Sequence, residues 1–277
     1  GAERGGGGRL DPGARAATGR VGAHARGPPP PPRLGRADTA ELVAALSHPN
    51  GWWRDTAQLQ LVARGGAAAV PPLKQLVARA DAGPAALHAL WTLEGLGALD
   101  AATVRPALAS ADRVLRQHAL RAAASLPEPE LRRLEKEIAT ATADPDARVR
   151  REAVLTAAAQ PGGLPLDQAV AALERDGHSQ LTRDAVLSGL PGRELELVEA
   201  LLARPAWQSE DPGRAEALTA AARCVVAEGR APRIGRLLDA VAAASPWPRE
   251  TLIAGLAGLV PEPQPGRPPP RLTRRET

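Results

Sequence analysis

The sequence contains no phenylalanine, tyrosine or methionine and only five tryptophans. An apolar core must therefore be built mainly from leucine, alanine and valine, and apolar residues still make up 44% of the 277 residues. Small side chains let helices approach one another closely, whereas sheets favour isoleucine, threonine and aromatic residues. The composition predicts packed helices rather than a sheet.

Cysteine and long apolar runs are also scarce. The single cysteine, Cys224, excludes an internal disulfide and a cysteine-based zinc site, and its apolar neighbours favour a buried, unreactive thiol. No run of 18 apolar residues is present and no signal peptide begins at residue 1, so we expect no direct membrane insertion. The chain does not open with methionine, which predicts a fragment or a processed piece of a longer protein.

Lysine is nearly absent: two lysines stand beside 33 arginines. The arginines concentrate at the ends, so that residues 1–37 have a net charge of +5 and residues 261–277 a net charge of +2. Since the whole chain has a net charge of +4, residues 38–260 are left with −3. A duplex-binding surface needs positive charge on its folded part, so we expect no nucleic-acid partner.

Glycine and proline are concentrated in the same two terminal segments of the chain. Residues 1–37 and 261–277 consist largely of Gly, Pro and Arg, which predicts disordered linkers or tails around a folded body of residues 38–260. The polyproline run at 28–32 is typical of a stiff spacer, and a ligand for an SH3-like groove is the alternative.

The body repeats itself. Alanines that follow similar helical segments recur at intervals of 32, 30, 34 and 32 residues, and fainter copies lie near Ala220 and Ala254. The clear copies are anchored at Ala57, Ala89, Ala119, Ala153 and Ala185. A recurrence of this length marks stacked helix pairs. We therefore predict an all-α fold, a HEAT-like α-solenoid of about six to seven helix pairs.

Three copies share an arginine three residues before the anchor alanine and a helix-capping residue four residues before that arginine. These pairs are Asn50 with Arg54, Asp112 with Arg116, and Asp146 with Arg150. The cap accepts backbone N–H groups of the second helix, and the arginine reaches oxygen atoms at the turn of the neighbouring unit. We call these six residues the arginine ladder. In the fourth copy Thr182 replaces the arginine, and Arg183 stands one position later.

Trp52 and Trp53 are adjacent, and neighbouring residues on a helix point about 100° apart. We expect one of them to plug the core of the first helix pair and the other to pack on the turn or on a preceding domain. A stacking site for a sugar or a base is the alternative. Trp91 is predicted to pack in the core. Glu94 would have a raised pKa if buried, or else bond to the arginine ladder or a turn.

Catalytic and metal-binding patterns are not found. The five histidines lack metal-ligand spacing, and His88 and His118 occupy equivalent places before Ala89 and Ala119. No Ser–His–Asp set, paired carboxylates or phosphate-binding loop can be argued from spacing. We expect no catalytic residue, cofactor or metal in this chain.

Four segments of the sequence resemble known families. DPDARVRREAVLTAAA looks like a HEAT-type repeat of the short form also seen in phycobilisome-lyase-like proteins. The run from TAELVAALSHPNGWWRDTAQ through LHALWTLEGLGALD to VLRQHALRAAA resembles the helical-repeat region of planctomycete-type, membrane-bound sugar dehydrogenases. The second resemblance covers about residues 38–126 and becomes generic up to about 260.

The resemblance implies a location outside the cytoplasm. In that family a sorbosone- or glucose-dehydrogenase-like β-propeller precedes the helical region, and a c-type cytochrome domain often follows it. This sequence has no C-x-x-C-H motif for a haem and no propeller before residue 38. The implied function is a non-catalytic scaffold that contacts a dehydrogenase propeller or cytochrome domain. A free-standing HEAT-like scaffold, or one for lyase-like cofactor attachment, is the alternative.

Overall fold

The computed structural model describes residues 34–79 and 83–257, which belong to one compact unit that begins at Leu34. Every regular element in these residues is helical, and no strand occurs among them. The prediction of an all-α fold is confirmed. The polyproline run at 28–32 and the segment 261–277 lie outside the described residues.

The described chain forms fifteen α-helices and two short 3₁₀ turns. The first eight helices are α1 (Thr39–Ala45), α2 (Gly51–Arg64), α3 (Val70–Ala78), α4 (Pro84–Gly95), α5 (Ala101–Leu108), α6 (Arg113–Ala123), α7 (Glu128–Arg132) and α8 (Glu135–Ala141). The others are α9 (Ala147–Ala158), α10 (Leu166–Asp176), α11 (Gln180–Ser188), α12 (Glu194–Leu202), α13 (Pro212–Ala227), α14 (Ala231–Ala243) and α15 (Pro246–Ala257). The 3₁₀ turns are Ala67–Ala69 and Pro205–Gln208.

Neighbouring helices pack in pairs. The contacting pairs are α1 with α2, α3 with α4, α5 with α6, α8 with α9, α10 with α11, α12 with α13, and α14 with α15. We call the later member of each pair its second helix. Second helices also touch second helices, namely α2 with α4, α4 with α6, α6 with α9, α9 with α11, and α13 with α15. First helices touch in the same way, α3 with α5, α5 with α8, α10 with α12, and α12 with α14.

Leucine, alanine and valine fill the core, as the composition predicts. The five clear anchor alanines, from Ala57 to Ala185, are all buried in second helices. The two fainter anchors do not hold this position, because Ala220 is only half-buried and Ala254 is exposed. In α13 the buried alanines are Ala217, Ala221 and Ala222, so the register slips at this helix.

Packing begins earlier than the sequence boundary at residue 38. Leu34 and Ala37 are buried, and the guanidinium of Arg64 at the end of α2 donates to the carbonyl oxygens of Leu34, Gly35 and Ala37. These bonds fix the segment that leads into α1. Residues 34–37 therefore belong to the folded body rather than to the tail.

The two adjacent tryptophans lie in different environments. Trp53 is half-buried and packs against the core, whereas Trp52 is 60% exposed and touches Trp53 edge to face, with ring centroids 4.6 Å apart. Since adjacent helical positions diverge by about 100°, only one of the two can face the first helix pair. Trp53 is therefore the member of the pair that meets the core, and Trp52 contacts Trp53. Packing of Trp52 on a preceding domain stays a prediction. Trp91 is half-buried against the core, and Trp207 is the fully buried tryptophan.

Candidate functional site

Each arginine of the ladder folds back on the turn that precedes its own helix. Its Nη1 donates to the carbonyl oxygens five and six residues earlier, at 2.7–3.0 Å. The sets are Arg54 with His48 and Pro49, Arg116 with Ser110 and Ala111, and Arg150 with Asp144 and Pro145. This contact shapes the connection within a pair, and the sequence did not predict it.

The other edge of the guanidinium reaches the next pair. Arg116 makes a two-bond contact with the Asp144 carboxylate at 2.8 and 3.0 Å, and Arg150 makes the same contact with Asp176, with both bonds at 2.6 Å. Asp144 serves both neighbours, since its carboxylate accepts from Arg116 and its carbonyl oxygen accepts from Arg150. Two-bond contacts of this kind combine charge with fixed geometry.

The electrostatics of Asp144 follow from this position. Burial by itself would raise the pKa of the Asp144 carboxyl, but hydrogen bonds from Arg116 and from the Asp146 N–H outweigh it and hold the pKa below its ordinary value. The same contact raises the pKa of Arg116. The pair is therefore charged in the folded protein at neutral pH.

The ladder changes at both ends. The Nε atom of Arg54 is buried and makes no hydrogen bond within the described part of the chain. Asp81 stands 27 residues after Arg54, close to the spacing of Asp144 from Arg116, but it lies outside the described residues. At the other end Arg183 makes the contacts that Thr182 cannot make. Its Nη1 donates to the Gly177 carbonyl oxygen at 2.8 Å, and its Nη2 pairs with Glu216.

The three caps of the ladder occupy helix N-termini. The Asn50 side chain accepts the Trp52 N–H at 3.0 Å, and the Asp112 side chain accepts the Val114 N–H at 2.8 Å. Asp146 accepts two N–H groups of α9, from Arg148 at 2.8 Å and Val149 at 3.4 Å. Each cap satisfies donors that have no partner inside the helix.

Side chains also bond from one second helix to the next. His88 Nδ1 on α4 lies 2.8 Å from Gln58 Oε1 on α2, and the Trp91 Nε1–H donates to His118 Nδ1 on α6 at 3.1 Å. The two equivalently spaced histidines thus each contact the preceding second helix, but with different partners. Burial lowers the pKa of both histidines; Arg121 lowers that of His118 further, and Glu152 opposes the shift. Neutral His118 can accept the indole N–H, and the imidazolium cannot.

The second helices carry most of the exposed apolar side chains. Seven large apolar residues are exposed in the described chain, and six of these lie on second helices. The six are Trp52, Leu59, Val114, Leu155, Leu181 and Ile253, and the seventh is Leu238 on α14. We call the exposed side of α2, α4, α6, α9, α11, α13 and α15 the second-helix face.

A groove of about 390 Å³ lies on this face between α2 and α4. It is lined by Asp55, Gln58, Leu59, Val62, Trp91, Glu94 and Gly95. The α2 side follows helical spacing, since positions 52, 55, 59 and 62 share one side of the helix. Leu59 is 65% exposed, and Glu94 is half-buried, with no hydrogen bond or ion pair from its carboxylate to any described residue. The expected bond from Glu94 to the ladder is therefore not formed.

Cys224 is half-buried on α13, and burial raises the pKa of its thiol, with Glu194 and Glu228 adding to the effect. Within residues 34–79 and 83–257 no three His, Cys, Asp or Glu side chains gather closely enough to hold a metal ion. In the same residues no helix is both long and apolar enough to cross a membrane.

Sequence reasoning missed the acidic partners. Asp144 and Asp176 follow their arginines by 28 and 26 residues, a spacing near the repeat length that could have identified them. Glu152 was also missed; it is buried on α9 and accepts two bonds from Arg121 of α6. No local pattern marks Glu152, because its partner lies on another helix.

No protein-family model matches this chain, and a search of the curated proteins finds no significant similarity.

Proposed function

We propose that this chain is a non-catalytic scaffold that binds other proteins on its second-helix face, with seven helix pairs stacked in a row as a HEAT-like α-solenoid. The observation on which the proposal depends is the distribution of exposed apolar side chains, six of seven on second helices. Exposed apolar surface on one side of a protein is typical of an interaction face.

The order of helix contacts supports the stacked arrangement. Each pair touches the pair before and after it through first helices, second helices or both, and contacts between distant pairs are few. The ladder supports it as well, because Asp144 joins Arg116 of one pair to Arg150 of the next. Stacked repeats bury a continuous core that no single pair could enclose.

The sequence resemblance supplies a partner for this scaffold. We propose that it contacts the propeller or the cytochrome domain of a membrane-bound sugar dehydrogenase, outside the cytoplasm. The coding sequence that flanks this region provides the test. A propeller encoded in frame upstream is expected, and flanking regions that encode neither a propeller nor a cytochrome would remove this partner without affecting the scaffold.

The binding face is tested by photo-crosslinking in living cells. A photoreactive amino acid is placed at Leu155 or Leu181, both exposed on second helices, and in the control at Glu135, exposed on the first helix α8. We expect protein adducts from the first two positions and none from Glu135. Adducts of equal yield at all three positions, or at none, would contradict a second-helix binding face.

A further inference from the structure

Packing between successive second helices is interrupted at one step of the described chain. From α2 to α11 each second helix packs on the next, and α13 packs on α15, but α11 and α13 are not among the packed pairs. A cleft of about 430 Å³ lies between them instead. The helices from α12 onward are therefore joined to the earlier ones mainly through α10, which contacts both α12 and α13.

Two close contacts join these parts, one at each end of α10. Before α10 begins, the carbonyl oxygen of Leu164 accepts a hydrogen bond at 3.0 Å from Nη1 of Arg193, the residue that precedes α12. After α10 ends, His178 lies against Gly213 in the first turn of α13, where a Cβ on the glycine would lie 2.7 Å from His178 Nδ1. Rotation about the axis of α10 therefore displaces both contacts little while it changes the width of the cleft.

The α13 wall of the cleft is suited to a closer approach. Ala215, Thr219 and Ala220 line it, and all three are small and only half-buried. The distance between packed helices depends on the side chains at their contact, and small ones permit the shorter distances. Helix α13 thus has room to move toward α11.

Charges of opposite sign face each other across the cleft. Arg183 of α11 pairs with Glu216 of α13. Asp184 of α11 makes no ion pair with any described residue, and the Arg223 side chain of α13 donates among these residues only to the Gly255 carbonyl oxygen, at 3.2 Å. Because Asp184 and Arg223 are both exposed and line the same cleft, a narrower cleft brings their charges together.

We propose that α10 is a hinge, and that helices α12 to α15 turn about it toward α11 and close the cleft with an ion pair between Asp184 and Arg223. The described structure is the open state. Closing changes the curvature of the second-helix face between α11 and α13, and so couples partner binding to the state of the hinge. The hinge depends only on contacts among α10, α11, α12 and α13, so it does not require the proposed partner.

The hinge is tested by pulsed electron spin resonance distances in the full chain with Cys224→Ser. Labels at Leu155→Cys and Ile253→Cys, both exposed, span three steps between second helices, from α9 to α15, and these steps include the cleft. The matched control at Leu59→Cys and Leu155→Cys also spans three steps, from α2 to α9, through packed helices alone. We expect the first pair to give two distances, or a distribution about twice as wide as that of the control. Equal widths would overturn the hinge.

Asp184→Asn tests the ion pair of the closed state. We expect this variant to lose the shorter distance between the labels at 155 and 253 and to keep the longer one. Asp184→Arg combined with Arg223→Asp restores opposite charges and is expected to recover the shorter distance, and Asp239→Asn, at an exposed acid of α14, should leave both distances unchanged. Unchanged thermal melting by circular dichroism shows that each variant is folded. Distances that Asp184→Asn does not alter would overturn the role of this ion pair.

Discussion

Among single residues, Arg116 and Arg150 of the ladder join one helix pair to the next. Arg116 and Arg150 each make four hydrogen bonds, two to turn carbonyls and two to a carboxylate. Both side chains are mostly buried together with their acidic partners. Such contacts contribute more than surface ion pairs, since removing one partner leaves the other polar group without its bonds.

Replacing a ladder arginine should therefore lower the stability of the fold. We expect Arg116→Ala and Arg150→Ala each to reduce the free energy of unfolding by about 2 kcal/mol. Arg132→Ala is the matched control, because Arg132 pairs with Glu128 on the exposed surface of α7, and its removal should change stability by less than about 0.5 kcal/mol. Urea unfolding monitored by circular dichroism measures the three values. Similar losses in all three variants would rule out a special role for the ladder.

Part of this stability depends on the negative charge of Asp144 and therefore on pH. Its pKa is lower in the folded protein than the ordinary value of 3.8, so the stability that its charge contributes is present above that value and lost as the pH falls below it. We expect Asp144→Asn to be less stable than wild type at neutral pH and to lose less stability on acidification. Urea midpoints measured from neutral pH down to about pH 3 provide the comparison. Parallel curves for both proteins would contradict it.

His118 makes the stability of the fold depend on pH near neutrality. Its pKa in the folded protein lies below the ordinary 6.5, so the stability from the neutral ring is present above that value and decreases as the pH falls below it. Glutamine at this position keeps an acceptor for the Trp91 N–H but does not titrate. We expect His118→Gln to lose less stability than wild type between about pH 7 and pH 5, with a smaller change in tryptophan fluorescence. Identical pH profiles would show that His118 does not contribute.

The sequence predicted the arginines of the ladder but not their acidic partners. The three-residue spacing between arginine and alanine is local, and it led to Arg116 and Arg150. Their partners Asp144 and Asp176 lie in other repeat units, where no local spacing marks them. The pair at 52–53 shows a second limit, because the sequence gives the angle between the two side chains but not which one faces the core.

Helix pairs depend on small residues where their ends approach. Gly189 ends α11, and a Cβ there would lie 2.8 Å from the Ala158 Cβ and 3.0 Å from the Leu164 Cβ. We expect Gly189→Ala to destabilise the fold by about 1–3 kcal/mol through overpacking. Gly235→Ala is the control within exposed α14, where an added Cβ meets nothing within 4 Å, and it should stabilise by about 0.5–1 kcal/mol. The melting temperatures of both variants test this prediction. An unchanged melting temperature for Gly189→Ala would show that the neighbouring side chains move to admit the added Cβ.

At the scale of elements, the recurrence of the anchor alanines located the five second helices α2, α4, α6, α9 and α11, and the caps Asn50, Asp112 and Asp146 located three helix starts. The run of charged residues at 132–137 gives no sign of a break, but the chain divides there into α7 and α8 around Leu134, which is fully buried. Pro127 and Pro129 set the start of α7, and the need to bury Leu134 decides where it ends. Such a break follows from packing, which the charge pattern does not encode.

For the whole molecule, the confirmed prediction is the all-α class, and the row of helix pairs remains a proposal. It is tested by the distance between spin labels at Leu59→Cys on α2 and Ile253→Cys on α15, in a chain with Cys224→Ser. Five packed steps between second helices and the wider step from α11 to α13 predict roughly 50–60 Å, and a control pair at Leu59→Cys and Leu155→Cys predicts roughly half of that. Similar distances for both label pairs would indicate a closed globule.

The double role of Asp144 has a mechanical consequence. Because its carboxylate binds Arg116 of α6 and its carbonyl oxygen binds Arg150 of α9, a displacement of the turn before α9 would strain bonds to both arginines. Under tension α6, α9 and the end of α10 should therefore move together, and a force-extension experiment should find that these helices separate in one step.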